Sequence, residues 1–132
     1  CCLSADDARH ADGILARMTI RVLTEPIPLA DIRRLAEETY GFMIKGAVDI
    51  AIRRIAIGGD YHIESCEELV RHGSSHEDVW GFNIVFNDGG YDIEYDSLIN
   101  IKPAKNNRSR FVEDEDIRSA MREIIGSVIA HL

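Results

Sequence analysis

Apolar residues alternate along Met18-Thr19-Ile20-Arg21-Val22-Leu23, the two-residue period of a strand with one buried face. Pro26 and Pro28 then break the extended run, and Leu29, Ile32, Leu35 and Ala36 recur at helical spacing, with Gly41 supplying a left-handed stop. Met43 to Ala51 and Arg54 to Ile57 are rich in β-branched residues and alanine and end at Gly58-Gly59. They read as two strands joined near Ile52-Arg53, or as one long bent strand, because no Gly or Asn marks the turn. A second helix carries Ile63, Cys66, Leu69 and Val70 on one face and stops at Gly73, where a polar loop runs to Asp78.

The strongest local signal is a hairpin. Val79 to Phe86 and Tyr91 to Ile101 flank Asn87-Asp88-Gly89-Gly90, and Asp88-Gly89 tolerates the positive φ angles of a two-residue turn. That turn pairs Phe86 with Tyr91, Ile84 with Ile93, Phe82 with Tyr95 and Trp80 with Ser97 on one side. The other side pairs Val85 with Asp92, Asn83 with Glu94 and Gly81 with Asp96, so a one-residue slip would bury the carboxylates. Ile117, Met121, Ile124, Ile125, Val128 and Ile129 form the stripe of a last amphipathic helix, and Glu113 to Asp116 place negative charge at its N-terminus. The order βαββαββα predicts a single two-layer α+β domain. Its first six elements match the split βαβ order of ferredoxin-like folds, with a strand and a C-terminal helix added.

Composition narrows the function classes. The chain has 132 residues, 45% of them apolar, which suits one globular domain and excludes disordered and fibrous classes. Fifteen Lys+Arg against 23 Asp+Glu leave a net charge of −8, a field of the wrong sign for coating nucleic-acid phosphates. No apolar run approaches the roughly 20 residues that cross a bilayer, and no leader with a basic head is present, so the expectation is a cytoplasmic protein with no membrane partner. Cys1, Cys2 and Cys66 form no disulfide framework, in keeping with a reducing compartment. Residues 1–17 lack turn punctuation and a core pattern; they are expected to be a poorly ordered extension ahead of a globular domain over 18–132, with Met18 as the start. A lipidated Cys1 is the other way to account for the absent initiating Met.

Two segments carry residues that helix, strand and turn rules do not require. In Gly58-Gly59-Asp60-Tyr61-His62-Ile63-Glu64 the glycines allow a sharp turn or a close ligand approach, while Asp60 and His62 set a carboxylate near an imidazole for proton exchange. The simpler reading of Asp60 is as the cap of the second helix. In Asn100 to Arg110 four cations and three amide side chains fall within eleven residues, and Lys102, Asn107, Arg108 and Ser109 are suited to holding a phosphate or carboxylate. Arg108 and Arg110 read equally as partners of Glu113 and Asp114. Asp92, Glu94 and Asp96 with Asn83 present either a cation site or a solvated face, and Cys66, His72 and His76 have no zinc spacing. Nucleophile-elbow, Walker and dinucleotide motifs are absent, so nucleotide hydrolysis of the familiar kinds is unsupported; no residue set is assigned to a metal, and the cofactor is left open.

Taken in order, Gly58-Gly59-Asp60-Tyr61-His62, His72-Gly73-Ser74 leading into Asp78-Val79-Trp80-Gly81-Phe82-Asn83, Asp96-Ser97-Leu98-Ile99-Asn100-Ile101-Lys102-Pro103 and Asn107-Arg108-Ser109 resemble the landmarks of a small bacterial and archaeal family of unknown function. The resemblance covers nearly everything from Met18 onward and implies no activity. It places Asp60 where the family is expected to have Glu, a change of reach by one methylene. Two functions fit these observations. One is an interaction module or homo-oligomer such as a homodimer. The other is an enzyme or binding protein for a small anionic ligand, in which Arg108, Lys102 and Asn107 hold the anion and His62 with Asp60 or Asp96 exchanges protons.

Overall fold

A computed structural model describes residues 20–130. The expected extension over 1–17, the start at Met18, and the cysteines at 1 and 2 lie outside the described residues. The described elements are β1 (Ile20–Leu23), β2 (Ile27–Pro28), α1 (Leu29–Ala36), β3 (Met43–Asp49), β4 (Arg54–Gly58), α2 (His62–Arg71), β5 (Val79–Asn87), β6 (Gly90–Glu94), α3 (Glu115–Val128) and β7 (Ile129–Ala130). Short 3-10 turns occupy His76–Asp78, Leu98–Asn100 and Pro103–Lys105. The α+β domain and its βαββαββα order are as the periodicity predicts. The additions are β2 and β7, a parallel pair with Ile27 opposite Ile129, where the last helical stripe residue leaves the helix.

The main sheet has the order β1-β4-β3-β5-β6, and every neighbouring pair is antiparallel. Hence β1 and β3, joined through α1, run parallel with β4 between them, and β4 and β5, joined through α2, run parallel with β3 between them. Both are split βαβ units. In a ferredoxin-like sheet the second unit steps back past the first strand and both helices share one face. Here both units step the same way from strands that run in opposite directions, and right-handed crossovers then demand helices on opposite faces.

The core shows this division. Ile44, Val48, Ile55, Ile57, Trp80, Phe82 and Ile84 pack with Ile32 and Leu35 of α1 and with Met121, Ile124 and Ile125 of α3. The opposite face is built of Ala47, Ala56 and Val79 against Cys66 and Leu69 of α2. The domain therefore has three layers rather than the expected two. Alternating large and small residues along β3 and β4 suit it, since Ala47 and Ala56 let α2 lie close to the sheet.

Two hairpin turns fix the ends of these strands. Asp49, 1% exposed, accepts the Ala51 and Ile52 N–H groups on Oδ1 at 2.8 and 3.1 Å, and Arg53 takes φ 58°. An aspartate turn thus makes the β3–β4 hairpin without the Gly or Asn that usually announces one. At the β5–β6 turn Asn87 Oδ1 accepts the Gly89 N–H at 3.0 Å, and Asp88 and Gly89 keep negative φ. The expected register holds from Phe86–Tyr91 to Asn83–Glu94. Beyond Glu94 the expected pairs Phe82–Tyr95, Gly81–Asp96 and Trp80–Ser97 do not form. The chain leaves the sheet there: Tyr95 O accepts from Val112 N, Ser97 N donates to Arg110 O, both at 3.1 Å, and Asp96 bridges Phe111.

Candidate functional site

The departure of β6 leaves backbone groups of Gly81 on β5 without a strand partner, and a side chain replaces the missing peptide. Asn100, wholly buried, accepts the Gly81 N–H on Oδ1 at 2.7 Å and donates from Nδ2 to Gly81 O and Arg110 O, each at 3.1 Å. Only glycine fits opposite: a Cβ on Gly81 would stand 2.6 Å from Ser97 Cβ. Asn107 organises the rest of this segment. Its Nδ2 lies 2.8 Å from Asn100 O and 3.0 Å from Ser109 O and Phe111 O, and its Oδ1 accepts from Glu113 N at 2.9 Å. Ser109 Oγ sits 2.7 Å from Glu113 Oε2. Asn107 and Ser109, read from the sequence as ligand-holding, are committed to shaping the segment.

Lys102 donates from Nζ to His76 O at 2.8 Å and lies 5.2 Å from the Trp80 ring centre, and burial lowers its pKa. Arg108 is exposed, and its side chain has no hydrogen bond or ion pair among the described residues.

The glycine segment starts α2. Gly58 and Gly59 take φ 114° and 83°, and Glu64 reaches back to accept the Asp60 and Tyr61 N–H groups on Oε1 at 2.7 and 3.0 Å. The Glu64 carboxylate does the capping anticipated for Asp60, whose own carbonyl accepts the Tyr40 hydroxyl at 2.7 Å. This start turns α2 so that His62, Ser65, Cys66 and Leu69 face inward. Ile63, expected in the core, is 43% exposed.

His62 is the centre of the arrangement. Its Nε2 lies 2.8 Å from Asn83 Oδ1 and 3.0 Å from Phe82 O. Both are acceptors, so Nε2 carries the proton and Nδ1 the lone pair. Asn83 Nδ2 in turn donates to Glu94 Oε1 at 3.3 Å, which sets the amide with its oxygen toward the imidazole. Burial, and after it the Lys45 ammonium, lower the His62 pKa from 6.5 to about 4 against the opposing pull of Asn83, Phe82 and Asp96. The ring is neutral at neutral pH.

A cleft of about 240 Å³ opens between the start of α2 and the Asp96–Arg110 segment. His62, Asn83 and Lys45 line it with Asp96 and Arg110, and Tyr61, Ile63 and Leu98 contribute apolar surface. His62 and Asp96 therefore meet, as the two-segment pattern suggested, while Asp60, Lys102, Asn107, Arg108 and Ser109 do not line the cleft. The guanidinium there belongs to Arg110, which pairs with Asp96 through Nε–Oδ1 at 3.0 Å and Nη2–Oδ2 at 3.3 Å, not with Glu113 or Asp114.

Lys45 is the residue that pattern reading missed. It is half-buried on β3, its Nζ lies 5.2 Å from the Tyr40 ring centre, and among the described residues it has no hydrogen bond and no carboxylate partner. The available signal was one lysine inside the apolar run Met43-Ile44-Lys45-Gly46-Ala47-Val48.

A slightly larger hollow, about 280 Å³, at the β1–β2 turn is lined by Val22, Leu23, Pro26, Ile27 and Pro28 with Arg21, Thr24, Glu25 and Asp31, and holds no imidazole and no lysine. Among the described residues no three His, Cys, Asp or Glu side chains are grouped to hold a metal ion, and no helix is long and apolar enough to cross a membrane. Cys66 is buried, which raises its thiol pKa.

Compared with known proteins, residues 21–128 match a family described as a protein of unknown function (DUF5674). No curated protein and no solved structure matches the chain.

Proposed function

The chain belongs to the DUF5674 family of proteins of unknown function, and we propose that its cleft binds a small ligand bearing a carboxylate or phosphate on an apolar body. Lys45 carries this reading. Lys45 is a half-buried residue, and in a chain of net charge −8 its ammonium meets an aromatic face and no carboxylate among the described residues. An entering anion supplies the missing partner. The Arg110 fork, held by Asp96, flanks the same cleft. Tyr61 and Leu98, 67% and 69% exposed, supply apolar surface for the body of the ligand.

Binding rather than proton transfer is favoured by His62. With a pKa of about 4 the ring near neutral pH keeps only the Nε2 proton that Phe82 and Asn83 hold, and it is a weak base. In this reading the anion rests on Lys45 rather than on Arg108, and Asn107, Ser109 and Asn100 keep the wall of the cleft in place.

Lys45→Met keeps the aliphatic stem and removes the charge. Titration of isotope-labelled protein with inorganic phosphate and with 3-phenylpropionate is expected to shift the amide signals of Tyr61, Ile63 and Leu98. Affinity should fall about ten-fold in Lys45→Met, the worth of one charge-assisted contact, and stay unchanged in Arg108→Ala. Equal affinity of the wild type and Lys45→Met overturns the proposal.

A further inference from the structure

We infer that the cleft selects anions that carry a hydrogen-bond donor beside the charged group, a hydroxyl or N–H next to a carboxylate, and that Asn83 and Glu94 set this preference by holding His62 in one tautomer. The inference rests on the cleft being an anion site and names the class of ligand it takes.

The geometry leaves His62 one free function. Two acceptors, Phe82 O and Asn83 Oδ1, face Nε2, so the proton cannot sit elsewhere on a neutral ring without leaving a buried carbonyl and a buried amide oxygen opposite a lone pair. Glu94 fixes the amide from behind by accepting its Nδ2. The other ring nitrogen is then an acceptor that cannot donate.

His62 lines the cleft, and its Nδ1 has no hydrogen-bond partner among the described residues. His62 is only 9% exposed, and its hydrogen bonds all use Nε2. Among the described residues the one sealed side-chain polar atom without a partner is Ser74 Oγ. Nδ1 is therefore unpartnered without being sealed, and the opening beside His62 is the cleft.

The wall thus presents two unmatched groups of opposite demand. Lys45 donates and carries charge, whereas His62 Nδ1 accepts and carries none. A plain carboxylate satisfies the first and leaves the second facing the ligand's apolar body. A 2-hydroxy carboxylate, or an acid with an N–H at the same position, satisfies both. Asn83 acts here as a positioning residue, through the imidazole.

The test compares 3-phenyllactate with 3-phenylpropionate at neutral pH, two acids that share the ring and the carboxylate and differ by one hydroxyl. Wild-type protein should bind the hydroxy acid roughly three- to ten-fold more tightly, the range of one neutral hydrogen bond. His62→Phe should remove the preference while both acids still bind in a Lys45-dependent way. Should that variant not fold, Asn83→Asp and the wild-type ring carry the test. The aspartate stabilises the imidazolium, whose Nδ1–H donates, so the preference should vanish there. The ring nitrogen signals of wild-type His62 should report Nε2–H and move at Nδ1 only with the hydroxy acid. Equal affinities for the two acids, both lost in Lys45→Met, overturn the donor preference and leave the anion site standing, as does a ring spectrum reporting Nδ1–H. Binding of neither acid, or binding indifferent to Lys45, overturns both.

Discussion

His62 should couple the stability of the fold to pH in the sense opposite to a histidine paired with a carboxylate. In the unfolded chain its pKa is the ordinary 6.5, and in the folded protein it is lowered to about 4 because burial and Lys45 oppose the charged ring. Between those values the unfolded state binds the proton and the folded state does not. Stability is therefore complete above pH 6.5 and is lost as the pH falls toward 4. The difference of 2.5 pH units at 1.36 kcal/mol each corresponds to about 3 kcal/mol, of which about 2 kcal/mol falls between pH 6.5 and 5. Other charges face the same ring. Lys45 disfavours its protonation and Asp96 favours it, Arg110 is paired with Asp96, and Glu94 stands behind Asn83. Titrating groups common to the protein and its His62→Phe variant cancel in the difference between the two, which isolates the imidazole. Urea unfolding at steps from pH 7.5 to 5, with His62→Phe as the reference, gives the stability difference directly. That difference should shrink by about 2 kcal/mol across the window. A difference that stays flat, or one that grows on acidification, refutes a buried neutral ring.

Two further outcomes test the wall of the cleft. Asn100→Ala removes three hydrogen bonds and leaves both backbone groups of Gly81 without their partner; it should cost about 3 kcal/mol by urea unfolding, with faster hydrogen exchange at the Gly81 amide, and a loss under about 1 kcal/mol contradicts the clasp. Gly81→Ala places a methyl 2.6 Å from Ser97 Cβ and 3.0 Å from Ile99 Cγ1, so Ser97 and Ile99 must be pushed outward at a cost of about 1–3 kcal/mol; amide shifts confined to residue 81 and its chain neighbours would show that the segment does not bear on this strand.

How much of this was legible in the sequence depends on the range of the forces involved. Alternation along β3, β4 and β5 reports a local fact, which side of a strand is apolar, and it located the core and the register from Phe86–Tyr91 to Asn83–Glu94. It could not report where β6 ends, because Tyr95 continues the alternation; what ends the ladder is Asn100 taking the Gly81 peptide from another part of the chain. The number of layers was beyond reach for a similar reason. It depends on the direction in which the second crossover steps across the sheet, and no local pattern encodes that direction.

The site was half legible because unusual polar residues have two origins that look alike in one dimension. Asn100, Asn107 and Ser109 stood out in the sequence, and the fold uses them to satisfy its own backbone. Lys45 did not stand out, a single cation in an apolar strand, yet it lines the cleft half-buried and has no counter-charge among the described residues. His62 belongs to both kinds, since Nε2 is committed to Phe82 and Asn83 while Nδ1 has no hydrogen-bond partner among the described residues. Hydrogen-bonding and charge capacity still unmatched after the fold has satisfied itself is thus a better guide to a binding site than polarity. By that measure the site moves from the cation-rich loop to the boundary between β3, the first turn of α2 and the Asp96–Arg110 ion pair.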